Sequence, residues 1–190
     1  MLAHSIVLFS LATLGFSAPL LVQRANPCFI TGTVPLAAEV AAGLKSLQAV
    51  TCNTAVQVAP GVPDVISGGI AYSTIDFQKS NSSPLGFALK TFATPDDPAD
   101  ADLTVLQNQL NTYLAVEAGV RSQPKSGALL VKLKGPKFFL QFQIARVQAA
   151  NGVQLSAADT VEHQLGKVTK NAVGASASEL AQVQALAENI

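Results

Sequence analysis

Beyond its N-terminal apolar stretch the chain has one histidine, His163, so no multi-histidine metal site can be built from it. A serine nucleophile would need His163 as its base, and no G-x-S-x-G segment is present. The only cysteines are Cys28 and Cys52; if they pair, no thiol remains as a nucleophile. Carboxylates are more plentiful, with 12 Asp plus Glu, and two suffice for glycoside hydrolysis, but sequence does not set their separation. The group Asp96, Asp97, Asp100 and Asp102 suits the positive end of a helix dipole. As a calcium loop it lacks the EF-hand spacing and glycine. Gly68-Gly69 reads as a turn, not a phosphate loop. No metal or cofactor is implied.

Two residues stay as weak functional candidates. On a helix striped by Val161, Leu165 and Val168, His163 points away from the stripe, with Asp159 and Lys167 one turn to either side, as on a solvated face. Arg146 lies in an apolar segment and needs a partner, either the carboxylate of a ligand or, as the favoured reading, a structural Asp or Glu. Lys132, Lys134 and Lys137 could meet an acidic ligand, although an edge strand uses lysine in the same way to block unwanted pairing. The absence of Trp weakens a carbohydrate-binding reading, since only Tyr72 and Tyr113 could offer a sugar a polar-edged aromatic platform.

These residues must be held by elements of two periods. Helices are expected at Leu36, Val40, Leu44 and Leu47 after Pro35, and at Leu103, Leu106, Leu110 and Leu114 after the Asp97-Pro98-Asp100 start, the latter ending at Gly119. Two more should open at the capping boxes Ser156 with Asp159 and Ser176 with Glu179. Alternation over 70–75 and 85–90, joined by a Ser-rich turn, predicts a β-hairpin, and 129–134 a third strand. The segment 136–152 alternates at Phe138, Leu140, Phe142 and Ile144. Pro136 as a start and Asn151-Gly152 as a stop favour a helix, apolar around most of its circumference and therefore central. The fold class is α+β: helices packed on a small antiparallel sheet, with one disulfide.

The N-terminus bears on location. Ile6 to Phe16 is a nearly unbroken apolar run closed by Ser17, Ala18 and Pro19, too short for a spanning helix and shaped like a secretory signal peptide over 1–18. Residues 19–24 read as a pro-segment removable after Arg24, leaving 25–190 as a single globular domain. Export makes Cys28–Cys52 a structural disulfide, closing a loop of roughly 25 residues that contributes roughly 3 kcal/mol by chain entropy. Asn81-Ser82-Ser83 is the one N-x-S/T acceptor, making Asn81 a candidate glycosylation site with Pro84 unfavourable beside it. With 12 Lys plus Arg against 12 acids the chain is neutral, which argues against nucleic acid as a partner. No transmembrane segment is expected.

The signal, Cys28-Phe29-Ile30-Thr31-Gly32-Thr33, Ser83-Pro84-Leu85-Gly86-Phe87-Ala88, and Val161-Glu162-His163 followed by Gly166-Lys167-Val168-Thr169-Lys170-Asn171 resemble a family of small secreted fungal proteins of unknown function. The resemblance implies an extracellular domain and assigns no catalytic residue. The leading expectation is a secreted, non-catalytic binding or cell-surface protein, located outside the cell or in the cell wall, with a cell-wall polymer or an apolar surface as partner. The alternatives are a small secreted hydrolase using carboxylates, with or without His163, and a carrier of an apolar ligand beside Phe138 to Ile144.

Overall fold

The computed structural model describes residues 27–190; the expected signal peptide and pro-segment lie outside the described residues. A three-stranded antiparallel sheet runs in the order β1 (Thr51–Ala59), β2 (Val62–Ser67), β3 (Ile70–Ala71). Pro60-Gly61 joins β1 to β2, with Gly61 at φ +74°, the positive value that the third residue of a tight turn needs. Pro63 has no N–H to give the ladder, and the β1–β2 register shifts on either side of its pairing with Gln57. Cys28 and Cys52 form a disulfide with their Cα atoms 6.0 Å apart, fastening the N-terminal segment to β1.

The helices are α1 (Ala38–Gly43), α2 (Pro84–Thr91), α3 (Leu103–Ser122), α4 (Gly127–Ala150), α5 (Val161–Asn171) and α6 (Ala177–Glu188). They stack on the sheet in order: α3 packs on β2, α4 on α3, and α5 on α4, with α2 also against α4 and α6 bridging α5 and α2. Helix α4 is the central one expected from its all-round apolarity; Leu133, Phe139, Leu140 and Phe142 are completely buried. Tyr72, Tyr113 and Phe92 meet edge to face between sheet and helices.

Several expected elements differ. The hairpin over 70–75 and 85–90 is absent: only Ile70–Ala71 is strand, and 84–91 is helix α2. Ser83 decides this locally, its hydroxyl accepting from the Gly86 N–H at 2.8 Å with Pro84 in the first turn. The strand over 129–134 is the first half of α4, which continues through Gly135-Pro136. Proline there removes one backbone donor, and glycine lets α2 approach, since a Cβ on Gly135 would lie 3.2 Å from that of Pro84. Gly119 does not end α3, which runs to Ser122; a Cβ on it would meet the Phe29 carbonyl at 2.7 Å and Val62 at 2.8 Å. Helix α3 is capped by Asp102 and α5 by Thr160, each a few residues after the expected start. The Ser176–Glu179 capping box is as expected.

Candidate functional site

The buried charges of α3 and α4 meet across their interface. Glu117 is 4% exposed and Lys137 8%, and Lys137 Nζ donates to Glu117 Oε2 at 2.7 Å. Arg121, one turn along α3, donates to Glu117 Oε1 from Nη2 at 2.8 Å and from Nε at 3.2 Å. Burial pushes the Glu117 carboxyl up, but Lys137 and Arg121 outweigh it and hold the group below its ordinary range. Burial lowers Lys137, with Glu117 opposing the shift.

Beside this cluster lies a partly open cleft of about 330 Å³ between α1, the turn after it, α3 and α4. Val40, Leu47, Leu114 and Phe138 line its apolar wall, Arg121, Lys134 and Lys137 its cationic side, and Glu39 and Glu117 are its two acids. The size falls within roughly 300 to 1,000 Å³, the range of small-molecule sites. The expected solvated lysine face is therefore split. Lys132 is exposed, Lys134 half-buried and Lys137 buried, because 129–137 is helix, not strand.

Arg146 is completely buried on α4, and the expected Asp or Glu partner is not there. Its Nη1 donates to Gln143 Oε1 at 2.7 Å and Thr94 Oγ1 at 3.0 Å, and its Nη2 to the Asn189 carbonyl at 2.7 Å. Neutral oxygens thus hold the cation, drawing α4, the segment after α2 and the end of α6 together. Gln143 is fixed in turn by donating to the Phe92 carbonyl at 2.9 Å. Arg146 acts here as a tie between elements.

His163 is exposed on the first turn of α5. Its backbone N–H reaches the Thr160 cap, and among the described residues its imidazole has no hydrogen-bond partner. No group of three or more His, Cys, Asp or Glu among the described residues is placed to hold a metal ion. Asn81 is exposed in the turn before α2, while Ser83, the third residue of its acceptor, caps α2 and donates to Glu179.

A family model for a domain of unknown function, DUF7143, matches residues 30–190. The chain belongs to the DUF7143 family. No curated protein and no solved structure matches it. The family match starts after Phe29 and takes in every element from α1 to α6, so the Glu117 cluster, the cleft and Arg146 are all parts of the DUF7143 domain.

Glu117 and Arg121 belong to no catalytic or binding motif, yet the sequence carries a signal for them. Leu106, Leu110, Tyr113 and Glu117 follow one another at spacings of four, three and four on the buried face of α3. An acid in a core register, with Arg four residues on, marks a buried pair.

Proposed function

We propose that this is a non-catalytic extracellular binding protein whose cleft over the α3–α4 charge cluster takes an apolar ligand bearing one acidic group. The carrying observation is how the charges beside the cleft are spent. Glu117 already accepts from both Lys137 and Arg121, so it is not free to take a proton from a substrate. Among the described residues, Lys134 and the remaining N–H groups of Arg121 have no such engagement and stand beside the apolar wall, and three cations in the lining outnumber its two acids, Glu39 and Glu117. That combination suits an anionic head on a hydrocarbon or aromatic body. It also joins the binding and carrier readings, since Phe138 lines the cleft.

The disulfide supports a location outside the reducing cytoplasm, and no helix among the described residues is long and apolar enough to cross a membrane. Export predicts that protein recovered from a secreting host begins after residue 17, 18 or 24, read by intact mass. A hydrolase using His163 draws no support from its solvated position.

The binding test uses dansyl-undecanoate, a fluorescent apolar carboxylate, which signals without any protein tryptophan. Saturable enhancement is expected, with Lys134→Glu weakening it at least tenfold while Tm stays unchanged. No saturable binding, or equal binding by Lys134→Glu, would overturn the reading.

A further inference from the structure

We infer that a second recess, between α3, α4 and the 151–160 connection, binds a neutral polyhydroxylated ligand such as a chain of sugar rings. It lies apart from the cleft proposed above, shares no lining residue with it, and encloses about 400 Å³. Its polar lining is dominated by amides: Gln107, Gln141, Gln148, Gln154 and Gln164. On α4, Gln141, Ile144, Ala145 and Gln148 follow the i, i+3, i+4, i+7 pattern, so one helix face forms this wall.

Two of these amides have oxygens that no described residue uses. Gln141 Oε1 and Gln164 Oε1 are buried and have no hydrogen-bond partner, although Gln164 is only 4% exposed. The orientation of Gln164 is fixed, because its Nε2 donates to the Ala158 carbonyl at 2.8 Å and the flipped amide would set oxygen against oxygen. What remains is an acceptor. Buried polar atoms are nearly always paired, so the orphaned Gln164 acceptor, with an unpaired Gln141 amide in the same lining, points to a ligand that carries donors.

Charge and shape narrow the class. Asp159 is the one ionisable group in the lining, and it already accepts from Ser156 Oγ at 2.6 Å, which disfavours an anion. Ile144, Leu155 and Val153 give the recess apolar ground, with Val153 49% exposed. A sugar ring carries donating hydroxyls on its rim and C–H groups on its faces, and meets both features at once.

The experiment titrates the folded protein with neutral hexamers of β-1,3-linked glucose, β-1,4-linked glucose and β-1,4-linked N-acetylglucosamine, read by saturation-transfer NMR and calorimetry. Saturable binding to at least one is expected. Gln141→Met removes an orphaned oxygen that no described residue uses, so Tm should hold or rise while affinity falls at least tenfold. Gln148→Ala, on the half-buried rim, is the second variant, with a severalfold loss. Lys134→Glu should leave this binding unchanged, which separates this site from the cleft. Absence of saturable binding to all three hexamers, or unchanged affinity in both glutamine variants, overturns the inference.

Discussion

Glu117 and Arg146 sit on neighbouring helices, both buried and both charged, yet the protein compensates them by different means. Glu117 is met by two cations. Arg146 is met by a carboxamide oxygen, a hydroxyl and a backbone carbonyl, and its Nε is buried without a partner. A carboxylate loses its solvation on burial and can escape by taking up a proton unless an opposite charge holds it ionised. A guanidinium does not lose its proton in a protein, so dipoles alone must carry it. The α3–α4 pair is thus held by charge, and the α4–α6 junction by oriented neutral groups.

Breaking the charged side should have the larger effect. Glu117→Gln leaves Lys137 buried without its counter-charge and should cost about 3 to 5 kcal/mol in urea unfolding. Arg121 contributes less, because its side chain is 26% exposed. The pH dependence follows from the lowered carboxyl. A folded-state pKa below the unfolded one gives stability that is present above the ordinary value near 4.5 and lost as pH falls through the folded value. Wild type should therefore lose stability with acid more steeply than Glu117→Gln. Parallel acid curves for the two would show that Glu117 is not held by charge.

Breaking the neutral side should cost less. Arg146→Met orphans the Gln143 oxygen and the Asn189 carbonyl, an effect of about 1 to 3 kcal/mol, and loosens the end of α6 first. Its stability difference from wild type should be flat between pH 4 and 9 in thermal melts, since neither the guanidinium nor its acceptors titrate there. Arg146→Lys should not restore it, because one ammonium cannot reach three acceptors arranged for a fork. A pH-dependent difference would reveal a carboxylate partner and collapse the contrast.

How far these regions could be read in advance follows from the range of the forces involved. Local signals held: the Ser176–Glu179 box, the stripe through Leu106 and Leu110, and the all-round apolarity of α4. Local signals that tertiary contacts override misled. Leu129 to Lys134 alternates like a strand, and only the packing of α2 on Gly135 shows why a Gly-Pro pair sits inside a helix. Strands β1 and β2 carry a weak signal in the sequence, because Pro63 demotes the second run, although the Pro60-Gly61 turn between them is a hairpin signal. Burial of Arg146 predicts an acid beside it, but which group faces a buried side chain depends on contacts 43 and 52 residues away. The cleft was half visible, through Phe138 and the lysines, and half hidden in Glu117.

A third acid tests whether opposite charge is what sets Glu117 apart. Among the described residues Glu179 makes no ion pair; its carboxylate accepts from the Ser176 N–H at 2.7 Å and from Ser83 Oγ at 3.0 Å. The backbone bond from Ser176 is the largest cause holding its pKa below the ordinary range. It closes the box that starts α6 and ties α6 to the cap of α2, so Glu179→Ala removes one local and one long-range contact to neutral donors. Its cost should be about 1 kcal/mol, the scale of a helix cap, measured by thermal melting beside Glu117→Gln. Because Glu179 leaves no buried cation behind, that loss must stay well below the Glu117 value. Equal losses would mean that the hydrogen bonds of an acid, and not the charges they neutralise, decide its worth in this fold.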